Sequence, residues 1–444
     1  MATCRRVGIW TLVSLTISLH ATTVMANDWP AFRGPTADGH APAAANRADA
    51  NANLPLEWNE SKNVRWKTAI PHQGWSTPVV MDGQIWLTTA TADGHDFYAL
   101  CLDANSGKIL HSKHLFHHDN PEPLGNNMNN YAACSPAIEP GRVYVHFGSF
   151  GTACLDTSTG ETIWSRDDMP CRHYRGPSSS VVLFENLVIL TFDGADYQYV
   201  TALDKATGKT VWRKDRDVEW NDENPTGEYA KFADFAKDGD FRKAHSTPII
   251  VEVGGEPLLV SGGAKATFGY DPRTGKEIWR VHYDDWSVAP VPLFQDGVAY
   301  IVTGLMHPEL WAVRTDGHGD VTDTGVEWRL KTGVAKTASP LLVDGLIYMA
   351  SDDGVASCVD AATGHVEWKK RIGGRHASSP IYAAGRIYFF DQDGETTVIE
   401  PGREFKQLAT NTLNDGFLAS PAVADDALFL RTKTHLYRIE NSDN

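Results

Sequence analysis

A nine-residue pattern recurs along this 444-residue chain: Asp first, Thr-Gly at the fourth and fifth places, Trp at the ninth. It is complete at 156–164, 204–212, 271–279 and 360–368. Asp103 to His111 keeps Asp and Gly107 but puts His in the Trp place; Gly325 to Trp328 keeps only the end, and Pro401 to Phe405 is weaker still. Two further anchors keep step with it. One is Ser/Thr-Pro before an apolar run, at Pro78, Pro136, Pro248, Pro340, Pro380 and Pro421, with Pro177 and Pro290 in the same register. The other is a Gly turn followed by an apolar run, as in Asp82-Gly83, Gly141, Asp296-Gly297, Asp344-Gly345 and Gly385.

Each unit reads as four strands. Pro opens the first strand, where a missing N–H is tolerated. Asp-Gly turns make the hairpins, Asp and Thr-Gly shape the third turn, and Trp ends the outer strand with its large face toward the next unit. Repeats of roughly 40–50 residues with four strands each are propeller blades. The Pro anchors count eight blades, or seven if the irregular Pro290 unit is not a full one. The eighth unit ends at Ile439 without room for an outer strand, and a spare strand, Val64 to Thr68 with Trp66, precedes the first anchor. Closure of the ring by that strand removes two exposed sheet edges at once. The expectation is an all-β chain whose residues 64–444 form one eight-bladed propeller of antiparallel blades. In it Trp66, Trp164, Trp212, Trp279, Trp328 and Trp368 dock blade onto blade.

The start of the chain reads as an address. Arg5 and Arg6 precede an apolar stretch from Val7 to Leu19, and the small residues Ala21 to Ala26 follow. That succession predicts a signal peptide over 1–26, cleaved before Asn27, and a periplasmic or secreted protein. Residues 27–63 read as an extended N-terminal segment. Lys+Arg 40 against Asp+Glu 56 gives a net charge of -16, which argues against nucleic acid and against an anionic membrane surface. No stretch of 18 apolar residues follows the leader, so no transmembrane segment is expected in the mature chain. Beyond Cys4 the cysteines are odd in number, which excludes a complete disulfide framework. Cys101, Cys154 and Cys358 read as buried strand residues, and Cys134 and Cys171 as loop residues open to pairing.

The run Ala202-Leu-Asp204-Lys-Ala-Thr207-Gly208-Lys-Thr-Val-Trp212 resembles the tryptophan-docking repeat of the quinoprotein dehydrogenase-like, or PQQ-like, propellers. The likeness recurs from Trp66 to the C-terminus. Asp28-Trp-Pro-Ala-Phe-Arg-Gly-Pro35 is similar to the opening of exported bacterial PQQ-like repeat proteins. The resemblance implies one of two branches: dehydrogenases that use pyrroloquinoline quinone (PQQ) and Ca²⁺, or non-enzymatic propellers such as the outer-membrane assembly propeller of the Bam complex. The chain has no adjacent Cys pair and no Cys-x-x-Cys-His, which weighs toward the second branch.

Residues just before each Pro anchor enter the innermost strand and are expected to ring the mouth of the central channel. They are Trp75, Tyr131, His173, Arg175, His245, Trp286, Lys336, Arg375, His376 and Phe417. Aromatic and cationic residues in an acidic chain suggest a funnel for a planar or anionic ligand; a packed channel would use similar residues. The expected role is an exported scaffold binding a protein, a peptide or a small anionic or aromatic ligand, with no cofactor. The alternative is a PQQ- and calcium-dependent dehydrogenase of alcohols or sugars, for which Asp284, Asp285 and Asp415 are the carboxylates flanking the anchors and Asp285, beside Trp286, the first candidate base. His111, His114, His117 and His118 lack a recognised ligand spacing and read as part of a solvated loop ending in Asn126 to Asn130, so no metal site is assigned. A second insertion, Arg213 to Arg242, is expected to carry a short helix over Glu228 to Lys237 as a lid or a solvated excursion.

Overall fold

A computed structural model describes residues 28–41, 53–125, 128–220, 222–223 and 225–441. The expected leader at 1–26 and the cleavage point before Asn27 lie outside them. Eight sheets follow one another around a ring, at 79–117, 137–166, 182–215, 249–282, 293–330, 341–371, 381–412 and 422–439. We number them blades 1 to 8. Each runs antiparallel from an innermost three- to five-residue strand to an outer strand. Both faces of a blade are covered by neighbours, so middle strands read as unbroken apolar runs instead of alternating ones; Leu187–Asp193 is buried at every position.

The fourth strand of blade 8 comes from the N-terminus. Val64–Ala69 pairs antiparallel with His435–Ile439, matching Trp66 with Arg438 and Ala69 with His435. The irregular Pro290 unit is a full blade, with one departure. In place of the Asp-x-x-Thr-Gly turn it makes an excursion whose Gly319–Asp320 lies parallel to Trp279 and Arg280, giving blade 4 a fifth strand.

The recurring pattern has a clear physical basis. In its turn, Asp204 Oδ1 accepts both the N–H and the hydroxyl of Thr207, at 2.9 and 2.7 Å. The Gly that follows is where the neighbour's Trp lands: a Cβ at Gly208 would sit 2.6 Å from the Trp164 ring, and one at Gly275 2.6 Å from Trp212. Each Trp then donates Nε1–H to a carbonyl of the next blade. Trp66 reaches Ala104, Trp164 reaches Lys205, Trp212 reaches Pro272, Trp328 reaches Ala361 and Trp368 reaches Gly402, all at 2.9–3.1 Å. Trp279 is the exception. It is fully buried and its Nε1 has no partner among the described residues, because blade 5 lacks the turn that would offer one. His111 replaces Trp between blades 1 and 2 and lies over Gly160.

The Ser/Thr before each Pro does more than open a strand. In six blades its hydroxyl accepts the backbone N–H of the same position one blade earlier, while the Thr77 hydroxyl of blade 1 has no partner among the described residues. Thr77 donates to Ser135, Ser135 to Ser180 and Ser180 to Thr247; after a break, Val291 donates to Ser339, Ser339 to Ser379 and Ser379 to Ser420, all at 2.8–3.0 Å. This belt corrects the register at two blades. Blade 3 is anchored at Ser180, three residues after Pro177, and blade 5 at Val291, which has no hydroxyl and interrupts the belt.

Innermost strands are sheet edges with unpaired backbone groups. Residues 28–41 cross the channel and use them. Trp29 exchanges two N–H···O bonds with Val80 of blade 1, and Pro30 accepts from Ile138 of blade 2. Gly39 and Ala41 bond Tyr382 of blade 7. Arg33, 2 % exposed, donates to the carbonyls of Pro340, Pro380 and Asp38. The extended segment therefore plugs the ring. All five cysteines beyond Cys4 are buried and free, so Cys134 and Cys171 do not pair.

Candidate functional site

Above the plug lies a cavity of about 610 Å³ on the propeller axis. Phe32 of the plug floors it. Phe232, Phe235 and Asp240 reach it from the insertion after blade 3. That insertion is a lid built of a 3-10 turn at Gly227–Phe232, a short α-helix at Ala233–Lys237 and a second 3-10 turn at Asp240–Arg242. The expected helix is thus half its predicted length. Arg175 holds the lid down through Asp240, with Nε and a terminal nitrogen at 2.8 and 3.1 Å from its two oxygens.

Of the expected rim residues, Trp75, Arg175, His245, Trp286 and Arg375 line this cup. The other five do not. Tyr131 borders a separate recess of about 270 Å³ and packs edge-on to Phe97 and Phe150. His173 is buried and its Nε2 accepts the Ser149 N–H at 2.9 Å. Lys336 stays outside; its backbone N–H donates to Asp352 at 3.1 Å. His376 is buried and donates Nδ1–H to the Gly374 carbonyl at 3.0 Å, and Phe417 packs edge-on to Phe390 in the core. The belt explains the sorting. Approaching the first strand the chain is extended, so side chains alternate between axis and blade interior. Two residues before the belt stand Trp75, Ala133, Ser178, His245, Ala289, Thr337, Ala377 and Leu418, and all eight line the cup. Lys336, His376 and Phe417 stand three before it and face the other way. Counting back two from each belt Ser/Thr would have found the ring; counting loosely from Pro does not.

The cup is less cationic than expected. Arg175 is neutralised by Asp240. Burial, with Lys243 close by, holds His245 far below the usual imidazole range, so it is neutral at pH 7. Lys433 donates to the Gln392 carbonyl at 3.1 Å. Arg375 is exposed to the cup and, among the described residues, no hydrogen bond or ion pair engages its guanidinium. Trp286 is 1 % exposed, with the Phe241 ring tilted over it at 3.9 Å between centroids and Tyr229 and Phe232 against it. Its planes are taken by the lid, which leaves Trp75 as the open aromatic wall.

Asp285 does not line the cup. Its carboxylate accepts the N–H groups of Trp286, Met306 and His307 at 2.7–3.2 Å and borders a second, polar cavity of about 850 Å³ with Lys265, Tyr283 and Glu309. Burial pushes its carboxyl up. The cup's own carboxylates are committed elsewhere: Asp240 to Arg175, and Asp352 to Lys336 N–H and the Thr337 hydroxyl. The residues lining the cup therefore do not fit PQQ with Ca²⁺. Among the described residues lining the cup, Arg375 and Lys433 are the cations without an ion pair, and both carboxylates, Asp240 and Asp352, are already hydrogen-bonded. His111, His114 and His117 also depart from expectation, lying in the outer strand Ile109–His117 of blade 1 and not in a loop.

A quinone-dependent alcohol dehydrogenase, dehydrogenase subunit, from Komagataeibacter europaeus is 29% identical over 152 residues, 31% of this chain and 19% of its own length. The quinohemoprotein alcohol dehydrogenase ADH-IIG of Pseudomonas putida is 26% identical over 230 residues, 45% of this chain and 30% of its own. The matched part thus spans less than a third of these dehydrogenases. Among solved structures, BamB from Moraxella catarrhalis aligns with a TM-score of 0.58 at 12% identity, over 85% of this chain and 99% of that one. Quinohemoprotein alcohol dehydrogenase from Comamonas testosteroni aligns at 0.65 and 13%, over 93% and 80%. These last two likenesses speak for the fold alone. The family model described as outer membrane protein assembly factor BamB matches residues 50–168 and 196–443, and by that match across most of its length the chain belongs to this family of PQQ-like propellers.

Proposed function

We propose that this chain is an exported, non-catalytic scaffold that takes an aromatic or anionic group into its axial cup. The group is either a free small molecule or the end of a peptide. One observation carries the reading: a cavity of about 610 Å³, floored by the plug and roofed by the lid, sets the unpaired Arg375 within one wall and Trp75 within another. Its size lies in the range of small-molecule sites, which are apolar with a few placed polar groups. Family membership supports a docking role beside outer-membrane protein assembly. Among the described residues no helix is long and apolar enough to cross a membrane.

Tryptophan fluorescence and thermal unfolding, titrated with planar aromatic carboxylates and with short peptides ending in an aromatic residue, test this. A ligand at 100 times its Kd stabilises by about 2.7 kcal/mol, and Arg375→Ala and Trp75→Ala should each weaken binding at least tenfold. No response to either ligand class would refute the reading. The dehydrogenase alternative is favoured by the likeness to quinone-dependent alcohol dehydrogenases. Dye reduction by protein reconstituted with PQQ and Ca²⁺, lost in Asp285→Ala, would establish it instead; we expect none.

A further inference from the structure

The outer wall of blade 1 carries a cluster that the cup does not use. Along the strand Ile109–His117 exposure alternates through Leu110, Ser112 and His114, then slips, so that His117 is exposed. The pairing shows why. Tyr98 faces His114, Phe97 faces Phe116 and Asp96 faces His117, leaving Leu115 as one extra residue in the outer strand. In a regular strand positions 114 and 117 would point to opposite faces; a bulge adds the residue that brings them to one. Asp96, across from His117, meets both. Its Oδ1 lies 2.9 Å from His114 Nε2 and 2.8 Å from His117 Nδ1, and the three ligand atoms lie within 4.8 Å of one another.

We propose that Asp96, His114 and His117 bind a divalent first-row transition cation of the Zn²⁺ class. Two imidazoles and a carboxylate are a borderline N₂O set, suited to Zn²⁺ or Cu²⁺ and poor for Ca²⁺, which takes oxygen. Bonds of about 2.0–2.2 Å in a tetrahedral site put donor atoms about 3.3 Å apart. The two Asp96–imidazole distances need to lengthen by only about half an ångström, and rotation of the half-exposed histidines adjusts the separation between them. The outer partner is in place: His117 Nε2 lies 3.3 Å from Asp119 Oδ1, the carboxylate that fixes a metal-bound imidazole's tautomer and raises its basicity. His114 is further supported by the Tyr98 ring at 5.1 Å, and His117 by His95 at 6.1 Å. His114 and His117 side chains are 49% and 52% exposed, so a fourth position stays open to water or an incoming ligand.

Isothermal titration of the untagged exported chain with Zn²⁺, Cu²⁺ and Ca²⁺ tests the site. We expect one Zn²⁺ per chain, no Ca²⁺, loss of Zn²⁺ binding in His114→Ala and His117→Ala, and about tenfold weakening in Asp119→Asn. Thermal midpoints of the metal-free variants should match the parent, since these side chains hold no core together. Co²⁺ should give visible d–d absorption in the parent chain, a readout that needs no variant. Absence of Zn²⁺ binding by the parent would overturn the proposal. So would an affinity unchanged in both histidine variants.

Discussion

Single atoms decide how blades meet. A methyl group at Gly208 would lie 2.6 Å from the Trp164 ring, while one at Gly141 meets nothing within 4 Å; both glycines have positive φ, 68° and 81°. Gly141→Ala should therefore cost only the left-handed backbone penalty, about 1 kcal/mol. Gly208→Ala adds overpacking and should cost about 3 kcal/mol in urea unfolding. Equal losses would mean that the ring yields freely. A second test at this scale concerns His146, fully buried with Nδ1 2.8 Å from the Thr152 hydroxyl and its pKa pushed down by burial to about 3. Unfolded, the imidazole takes a proton below about 6.5 that the folded site refuses. Its contribution is thus complete above pH 6.5 and is lost as pH falls toward 3, by about 1.4 kcal/mol per pH unit. Stability curves should be shallower in His146→Gln by nearly that amount at about pH 5 and by about half of it at about pH 6.5.

Two irregular elements turn a ring into a cup. The plug is held by Arg33, whose guanidinium satisfies three carbonyls in a site where burial lowers its pKa to about 10. Arg33→Ala leaves those carbonyls unpaired and should cost about 3 kcal/mol, with ligand binding weakened alongside because the floor loosens. Retained stability and affinity would show that the remaining backbone bonds of the plug suffice. The lid rests on Trp286 and on the Arg175–Asp240 pair. Its composition signalled an excursion. Its landing place was not legible, since the Phe241–Trp286 and Arg175–Asp240 contacts join residues 45 and 65 positions apart.

The molecule as a whole is closed by one strand. A chain beginning at Ile70 loses the Val64–Ala69 ladder and the Trp66 bond to Ala104, and exposes blade 8's edge next to blade 1. Its thermal midpoint should drop by at least about 5 °C, with more aggregation on heating. This chain also lacks the plug, so an unchanged midpoint would mean that the remaining bonds between blades 8 and 1, such as Arg431 to Ser76 and Thr88, keep the ring shut.

Blade number and N-terminal closure were readable from the chain, and so were most turns, because each is written in neighbouring residues: a turn needs its Asp and Gly within five positions, a strand its own period. Blade 5, with its excursion and the unpartnered Trp279, departs from that pattern. The rim was half readable. Trp75 and His245 face the cup while Lys336, His376 and Phe417 do not, although all five immediately precede an anchor. A one-residue difference in phase reverses a side chain's face, and that phase is set by which hydroxyl bonds the neighbouring blade. The same reason hid which of the blade 1 histidines converge, since a single bulged residue brings His114 and His117 to one side. Local chemistry determines which elements form; only their packing across the ring decides which side chains meet.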